Sequence, residues 1–512
     1  MEISFLHKIP RMKPTKTFYI ILSLIFCMFN TNKPTSAQND ITRLNGQHEI
    51  SALNFASNYL SALNSGRRKI MKDFLNKNAD KNLLEKIPPE TLTTFNLAHY
   101  YETGGLGYDF LETDSADNNL IKIKLVNRLT LAKLILEIPV TGEKEFRING
   151  MVSGEIQEHE NNNLHAHVLT DEDIAEKLEK CLLQLEKDNE FSGVVLLAKN
   201  GQPVIKRAVG KASIAYEIPN LTDTKFNLAS VGKIFTGLAI TQLAEQGKLK
   251  IDDTIDKYLP SGWLPNEISG KIHIKHLLTH TSGLSDYFAD IYKQCEIQVF
   301  RELNDYKPLV YKSQPAFEPG KRFSYSNTGY LLLGVVIESV SGEEYFQYLT
   351  NHIFIPAGMK NTGGFAKDQP VKNRATGYTK IWQDDDFTWT DHMRTRILKG
   401  CPSGGIYSTA EDLLQFDIAL RNHKLLSPEY TQLLFTGFPE LNASFHSTGF
   451  FLSDNRSGKT ASHSGDGSGV NCQYKMCLDS GYTIIILSNY SPPSANIVAN
   501  VTDQLMIHKT GN

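Results

Sequence analysis

Apolar residues recur along this chain with two different periods, which predict helices in some stretches and strands in others. A stripe with helical spacing runs from Ile50 to Leu63, and shorter helical pieces lie around residues 71–75 and 92–100. Four β-rich runs follow, at residues 108–113, 120–127, 131–138 and 144–152. Helices followed by strands with polar turns predict one small α+β domain over residues 49–158, with an antiparallel meander.

This N-terminal domain resembles the NTF2-like or cystatin-like group, in which helices precede a curved sheet. The resemblance implies a ligand cone or a lid over a neighbouring site. The alternative, which we prefer, is a docking or spacer domain. Polar residues after this stretch predict a linker over residues 159–170.

The larger second part of the chain begins with a helix that Asp171 is predicted to cap and that runs to about Leu185. Two strands are predicted next, at 191–199 and 203–209, and Asn200-Gly201 between them is a strong hairpin signal. The chain is then mostly helical and loop-rich from 247 to about 437. Strands return at 448–453, 460–463, 470–478 and 482–488, and a last helix spans 494–508. We expect early and late strands to share one antiparallel sheet over residues 171–508, with a site in the crevice beside a helical lobe.

The first 37 residues have the pattern of an export signal, so a signal peptide is expected over residues 1–37. Basic residues come first, an apolar run follows at 18–29, and Thr35-Ser36-Ala37 fits a small-residue cleavage site. The apolar run is shorter than the ~20 residues that a spanning helix needs. The pattern therefore predicts a protein exported to the periplasm or the medium, without a permanent membrane anchor.

Composition narrows the functional classes without choosing among them. The chain has 512 residues, 41% of them hydrophobic and 21% charged, which is typical of globular domains. The net charge is −3 and no long basic run lies beyond the leader, so nucleic acid is not an expected partner. The scattered cysteines lack the spacing of a disulfide framework or a zinc finger.

The most informative stretch is a predicted buried helix over residues 230–246 that opens with Ser230-Val231-Gly232-Lys233. Residues three apart on a helix are neighbours, so the Lys233 amine is expected to lie against the Ser230 oxygen. The positive end of the helix dipole would favour an alkoxide there. A Ser-x-x-Lys pattern occurs about twice by chance in a chain of this size, so the spacing needs support from elsewhere.

That support comes from further motifs that follow in a fixed order. They are residues 276–284 (HLLTHTSGL), 318–320 (EPG), 325–327 (YSN), 355–359 (IPAGM), 404–413 (GGIYSTAEDL) and 463–465 (HSG). With these motifs, residues 172–508 resemble the serine β-lactamase and penicillin-binding-protein superfamily. The resemblance is to its class C β-lactamase-like branch, which includes esterases and D-amino-acid peptidases. It implies a two-lobed α+β fold, an antiparallel sheet flanked by helices plus a helical lobe.

The resemblance also implies roles for particular residues. Ser230 would be the nucleophile, and Lys233 with Tyr325 would handle its proton, because an unperturbed serine is a weak nucleophile. Burial lowers the pKa of a lysine from its usual ~10.4, which would suit Lys233 to this task. Asn327, expected on an extended loop two residues after Tyr325, would orient the acyl group and the lysine.

His463, Ser464, Gly465 and Asp466 would run along the strand beside the nucleophile. By the same resemblance, the backbone N–H groups of Asp466 and Ser230 form the oxyanion hole. Gly465 would let the substrate approach the strand closely. β-Lactamases of this family usually carry Lys-Thr-Gly here, whereas His463 is mostly neutral at pH 7. This difference favours an esterase, amidase or D-peptide hydrolase that uses no cofactor.

Several alternatives stay open at the level of sequence. The protein could be a class C-like β-lactamase, or a non-hydrolytic penicillin-recognising binding protein. His276 and His280 have a spacing that can bind a metal, but the pattern lacks the glutamate of H-E-x-x-H, and no metal is predicted. His463 could instead pair with Asp466 in a triad with Ser230. Substrate identity and oligomeric state are not predicted.

Overall fold

The computed structural model describes residues 46–116, 119–142, 145–156, 169–288, 300–383, 386–392, 397–455 and 458–507. The predicted signal peptide and most of the predicted linker lie outside the described residues. Within the described ranges, no helix combines the length and apolar character needed to cross a membrane.

The N-terminal part consists of four helices followed by five strands. The helices are α1 (Gly46–Asn64), α2 (Arg68–Asn78), α3 (Lys81–Lys86) and α4 (Pro89–Tyr101). The strands are β1 (Tyr108–Ala116), β2 (Leu120–Asn127), β3 (Lys133–Thr141), β4 (Arg147–Ile148) and β5 (Ser153–Ile156). β1, β2 and β3 form an antiparallel meander, and both β4 and β5 pair with β3. Helices followed by a meander is the arrangement that the sequence predicts for this stretch.

Alternation along β2 and β3 explains how this sheet packs. Every second residue of each strand is buried, including Ile121, Ile123 and Leu125 of β2. These side chains share one apolar cluster with Tyr59 of α1 and Leu75 of α2. The helices therefore cover one face of the sheet, as a period-two strand requires.

The second part of the chain is built on a six-stranded antiparallel sheet. Its strands are β6 (Gly193–Lys199), β7 (Gln202–Val209), β14 (Phe451–Asn455), β15 (Gly458–Gly467), β16 (Val470–Cys477) and β17 (Tyr482–Ser488). They lie in the order β14–β15–β16–β17–β6–β7. β6 therefore pairs with β17, although nearly 300 residues separate them in sequence. The prediction that early and late strands share one sheet is confirmed.

Local signals account for the ends of several elements near this sheet. Asn200 and Gly201 both have positive φ, +50° and +77°, as the tight turn between β6 and β7 requires. Helix α5 (Asp171–Lys187) is capped by Thr170, whose hydroxyl accepts the Asp173 N–H, so Asp171 is the first helical residue rather than the cap.

The two faces of the large sheet are covered by different groups of helices. Val195 and Leu197 of β6 face α5 and the C-terminal helix, whereas Val194 and Leu196 face the helical lobe.

Four short strands in this part are β8 (Lys211–Ser213), β9 (Ile218–Pro219), β10 (Phe226–Asn227) and β13 (Tyr407–Ser408). The helices are α6 (Lys233–Glu245), α7 (Asn266–Ser269), α8 (Ile274–Leu278), α9 (Lys307–Val310), α10 (Asn327–Ser341), α11 (Tyr345–Leu349), α12 (Ile355–Ala357), α13 (Ala410–Arg421), α14 (Pro428–Leu433) and α15 (Ser494–Ile507).

Helix α6, which follows the Ser-x-x-Lys stretch, is buried on all sides from Lys233 to Leu243. The sequence predicts a buried helix over residues 230–246, and the α-helix itself begins only at Lys233. The helix lies at the centre of the largest apolar cluster, so its polar positions must also be enclosed. Because the helix is central, Lys233 at its N-terminal end is shielded from solvent.

A hairpin that the sequence analysis did not predict projects from the helical lobe. Its strands are β11 (Tyr378–Gln383) and β12 (Asp386–Asp391). Trp382 on this hairpin lies under the Arg68 guanidinium of α2, with Cζ 3.9 Å from the ring centroid. The hairpin therefore connects the N-terminal part with the rest of the protein.

The N-terminal part also contacts helix α15 directly. Asn127 Nδ2 and Thr130 Oγ1 donate to Gln504 Oε1 at 2.6 and 3.0 Å. Asn500 Nδ2 donates to Glu102 Oε1 at 2.8 Å. Asn127, Thr130 and Gln504 are buried, and burying polar groups is tolerated only when they are hydrogen-bonded. These contacts favour a fixed docking of the N-terminal part.

Candidate active site

Ser230 lies in a short 3-10 turn, Ala229–Gly232, that leads into α6. Ala229 before it has φ +43°, an uncommon conformation for a residue with a side chain. The turn is secured by the Ala229 N–H, which donates to Asn227 Oδ1 at 2.8 Å, and by the Gly405 N–H, which donates to Ala229 O at 3.0 Å. The sharp turn leaves Ser230 half-buried, so its hydroxyl is not sealed in the core.

Lys233, the first residue of α6, is fully buried and has three close oxygen neighbours. Nζ lies 3.2 Å from Ser230 Oγ and 2.8 Å from Asn327 Oδ1, and it also donates to the carbonyl oxygen of Ser403. Two of these neighbours, an amide oxygen and a carbonyl oxygen, can only accept. A neutral Lys233 amine would therefore give its two N–H groups to them and turn its lone pair toward Ser230.

The charge state of Lys233 is set mainly by its burial. Burial lowers the pKa of Lys233 to about 7, while the nearby Asp286 carboxylate acts in the opposite direction. A substantial fraction of the amine is therefore neutral at physiological pH. The geometry and the protonation state together let Lys233 accept a proton.

Tyr325 lies with its ring beside this amine. The Lys233 Nζ atom is 4.9 Å from the centroid of the Tyr325 ring and 5.5 Å from that of Tyr330. The Tyr325 ring also stacks on His280, with centroids 4.3 Å apart, and His280 Nδ1 accepts the Ser326 N–H at 3.1 Å. His280 therefore supports the segment that carries Tyr325.

Asn327 is brought to the site in a way the sequence did not predict. It is the first residue of α10, capped by Ser326, and does not lie on an extended loop. That prediction is wrong because the Ser326 hydroxyl accepts the Gly329 N–H and starts the helix at Asn327. The side chain still meets Lys233, since its Oδ1 accepts from Nζ at 2.8 Å.

Asp286 belongs to the same cluster and was missed by the sequence analysis. Its Oδ2 accepts from Asn327 Nδ2 at 2.9 Å, and its Oδ1 accepts from the Phe288 N–H at 3.0 Å. Burial raises the pKa of Asp286, and the Lys233 charge and the hydrogen bonds oppose that rise. A single carboxylate in a loop belongs to no periodic apolar pattern and to no motif with a fixed spacing. Its only sequence signal was its place two residues after the HLLTHTSGL motif.

The strand β15 carries His463 to Asp466 past the nucleophile. An ideal Cβ at Gly465 would lie 2.1 Å from Leu228 O, in the segment leading to Ser230. Glycine is therefore required here for the close approach of the nucleophile segment, and the expectation that it also lets the substrate approach the strand stays a prediction. Within the described ranges, β14 pairs with β15 only as far as Ser462. The part of β15 from His463 onward is therefore not paired with β14.

The side chains of Ser464 and Asp466 are hydrogen-bonded to each other, and that of Asp466 is also hydrogen-bonded to the next strand. Ser464 Oγ donates to Asp466 Oδ2 at 3.2 Å, and Asn471 Nδ2 donates to Asp466 Oδ1 at 2.7 Å. Burial raises the pKa of Asp466 to about 6. Asn471 Oδ1 also accepts the Ala495 N–H near the start of α15. The residue that binds the Asp466 carboxylate is therefore itself held by α15.

His463 is buried and its Nδ1 lies 2.6 Å from Ser464 O, which makes Nδ1 the protonated nitrogen. Burial lowers the pKa of His463 well below its ordinary value, and the Lys233 charge adds to this effect. His463 is thus neutral near pH 7. Because the Asp466 carboxylate is bonded to Ser464 and Asn471, these contacts do not support the alternative triad.

The two histidines with possible metal-binding spacing have other contacts. His276 Nδ1 accepts the His273 N–H at 3.1 Å, and His280 Nδ1 accepts from Ser326. No group of three or more His, Cys, Asp or Glu side chains is placed to hold a metal ion in the described part of the chain.

Comparison with known proteins identifies the class of this fold. The sequence model of the Beta-lactamase family matches residues 176–505, and the chain belongs to this family. It is 30% identical over 318 residues to penicillin-binding protein 4* of Bacillus subtilis strain 168, covering 60% of this chain and 69% of that protein.

Solved structures agree with this assignment. The penicillin binding protein from Bacillus halodurans superposes with a TM-score of 0.55 at 32% identity, covering 62% of this chain and 97% of that one. A D-stereospecific amidohydrolase from Streptomyces sp. shares the fold with a TM-score of 0.51 at 22% identity, over 60% and 92% of the two chains. The predicted β-lactamase-like fold is confirmed, and the protein is a serine hydrolase of the β-lactamase superfamily.

Proposed function

We propose that this protein is an exported serine hydrolase that acts through an acyl-enzyme on Ser230. Its substrates would be small esters, amides or D-amino-acid peptides. The observation that carries the proposal is the environment of Lys233, whose Nζ lies 3.2 Å from Ser230 Oγ while its other two close oxygens can only accept. This arrangement supports the amine as the base for the Ser230 proton.

In the first step, the Ser230 hydroxyl proton passes to the lone pair of Lys233 as Oγ attacks the acyl carbon. The electron pair of the carbonyl moves onto its oxygen, which the N–H groups of Ser230 and Asp466 would stabilise. When the tetrahedral adduct collapses, the leaving group takes the proton held by Lys233, either directly or through the Tyr325 phenol, which Lys233 then reprotonates. Water then attacks the acyl-enzyme by the reverse route and frees Ser230.

Tyr325 and Asn327 would assist this step in different ways. The Tyr325 ring lies beside Lys233 Nζ, so its phenol is a candidate partner for the same proton. Asn327 accepts a hydrogen bond from Lys233 and would also face the acyl group of a bound substrate. His463, Ser464, Gly465 and Asp466 would form the strand along which the substrate lies.

The neutral state of His463 favours uncharged esters and amides over carboxylate-bearing drugs. Burial keeps the pKa of His463 well below its ordinary value, so this position offers no cation to a substrate carboxylate. A class C-like β-lactamase is the alternative, and it requires rapid deacylation by water. A non-hydrolytic penicillin-recognising binding protein is the second alternative, and it predicts occupancy without turnover.

Export and the other partners rest on sequence patterns. The basic and apolar leader over residues 1–37 supports export to the periplasm or the medium. We propose a small-molecule substrate, no bound cofactor or metal, and no nucleic acid partner. The N-terminal part, predicted as a domain over residues 49–158, would serve as a docking or spacer domain beside the hydrolase domain.

Turnover of a substrate panel tests the proposal. Nitrophenyl esters, a chromogenic cephalosporin and D-Ala-D-Ala peptides are compared with the intact protein and with Ser230→Ala. We expect ester turnover to exceed cephalosporin turnover and both to disappear in Ser230→Ala. A preference for the cephalosporin would favour the β-lactamase alternative, and binding without any turnover would favour the binding protein.

A further inference from the structure

Asn327 presents its amide to two groups of opposite charge. Its Oδ1 accepts from Lys233 Nζ at 2.8 Å, and its Nδ2 donates to Asp286 Oδ2 at 2.9 Å. The two ends of an amide differ only in which atom donates, so its orientation follows from its partners. A carboxylate accepts but does not donate, so Asp286 fixes Nδ2 on its own side.

The opposite orientation of this amide would disrupt the site. It would place the Nδ2 donor against the Lys233 amine, which already donates to Ser403. It would also place Oδ1 against the Asp286 carboxylate, which leaves two acceptors facing each other. The Asp286 carboxylate is itself held by the Phe288 N–H at 3.0 Å, so it offers Asn327 a fixed acceptor.

We propose that Asp286 is a positioning residue that acts on Lys233 through Asn327, orienting the amide and supplying the negative charge that faces the buried amine. This inference rests on the proposed function, in which Lys233 takes the Ser230 proton. Asp286 would then hold the amine where its lone pair meets Ser230 Oγ. It would also make the protonated amine less costly during the step in which Lys233 carries the proton.

Among the other titratable groups near Lys233, the Cys401 thiol acts on the pKa of Lys233 in the same direction as Asp286, with a smaller effect. The others are the phenols of Tyr325 and Tyr330 and the imidazoles of His280, His446 and His463. Burial lowers the pKa of His446 to about 3 and holds the pKa values of His280 and His463 well below the ordinary range. These imidazoles stay neutral near pH 7, so Asp286 is the carboxylate that opposes the effect of burial on Lys233.

The test is the pH dependence of Ser230 acylation by a nitrophenyl ester, followed in a single turnover from pH 5 to pH 9. Asp286→Asn keeps the size and the acceptor for Phe288 but removes the charge. An opposite charge at close range moves a pKa by about one unit or more. We therefore expect the acid limb of the profile to shift to lower pH by about one unit. The plateau rate should fall by no more than about tenfold, because the Asn327 amide is no longer fixed.

A matched control is Asp412→Asn, which alters another buried carboxylate. Asp412 Oδ2 accepts the Asn361 N–H at 2.6 Å and the Thr362 hydroxyl at 2.7 Å, away from Lys233. This variant should leave the acid limb in place. The pH at which the acid limb lies does not depend on the fraction of the variant that is folded, so a partly unfolded variant still gives a usable profile. Asp286→Ser repeats the measurement with a smaller side chain.

The outcomes separate this inference from the proposed function. If Asp286→Asn and Asp286→Ser keep the limb of the unchanged protein, or move it to higher pH, Asp286 does not act on Lys233. If Lys233→Ala retains rapid acylation with the same limb, the lysine itself is not the base and the proposed function fails. Loss of acylation in Lys233→Ala together with a shifted limb in Asp286→Asn supports both.

Discussion

Lys233 Nζ lies 3.2 Å from Ser230 Oγ, and the hydroxyl is the one close neighbour among its three hydrogen-bonded oxygens that has a proton to give. The same nitrogen is fully buried, which lowers the pKa of Lys233 to about 7. Position and protonation state therefore both support the proposed role of the amine, which is to accept the Ser230 proton.

Replacing Lys233 by alanine should abolish most of the activity while a comparable lysine elsewhere is dispensable. General base catalysis is worth about 10²- to 10⁴-fold, so we expect kcat/KM of Lys233→Ala to fall by about 10³-fold in ester hydrolysis. Lys367 is the matched control, because burial also lowers the pKa of Lys367, to about 8. Lys367→Ala should retain activity within about threefold, and equal losses in both variants would point to a general effect of removing a buried amine.

The pH profile of ester hydrolysis should report Lys233 rather than a histidine. A base must be deprotonated to act, so the rate should fall as pH drops below about 7, the pKa of Lys233. His463 is already neutral there because burial holds the pKa of His463 well below its ordinary value. His463→Gln should keep an acid limb near pH 7. If the limb disappears in that variant, the titrating group is the His463 imidazole and not Lys233.

Stability should carry the signature of the buried amine. The pKa of Lys233 is about 7 in the folded protein against an ordinary value of 10.5, so the unfolded chain binds more protons between these two values. The free energy of unfolding should therefore rise with pH across this window, by up to about 1.4 kcal/mol per pH unit from this group.

Urea denaturation of the intact protein and of Lys233→Met, at pH 7.5 and pH 9.5, isolates this contribution as a difference. The gain in stability with pH should be larger in the intact protein than in the variant. Equal gains in both would mean that the amine keeps an ordinary pKa in the folded state.

Gly465 should be intolerant of even the smallest side chain. A Cβ there would lie 2.1 Å from Leu228 O, so an alanine must displace the segment that leads to Ser230. We expect Gly465→Ala to lower kcat by about 10²-fold, as small misplacements of reacting groups do. Gly467→Ala is the control on the same strand, because its Cβ would meet only the Val470 side chain, at 3.1 Å. Comparable losses in both variants would contradict this explanation.

The sequence predicted those parts of the site that have a local pattern. Ser230 and Lys233 were found from their spacing, and Tyr325 and Asn327 from a motif, because each pattern is contained within a few residues. The shared sheet was predicted because alternating apolar strands at both ends of the region need partners. The hairpin β11–β12 was missed, although Trp382, Phe387 and Trp389 are strand-forming residues, since the region around it is mostly helical.

Asp286 and the role of Gly465 could not be predicted in the same way. Asp286 meets Asn327 across 41 residues, and nothing in its own neighbourhood marks that contact. The need for glycine at 465 depends on the carbonyl of Leu228, which lies more than 200 residues earlier in the chain. Both are properties of the packed structure, where distant segments meet.

The most direct test of the central claim is to locate the covalent intermediate. The protein is quenched during turnover of a nitrophenyl ester, digested, and mapped by mass spectrometry, together with Ser230→Ala and Lys233→Ala. The account predicts an acyl group on the peptide that contains Ser230, its absence in Ser230→Ala, and slow formation in Lys233→Ala. An acyl group on another residue, or rapid labelling of Ser230 without Lys233, would contradict it.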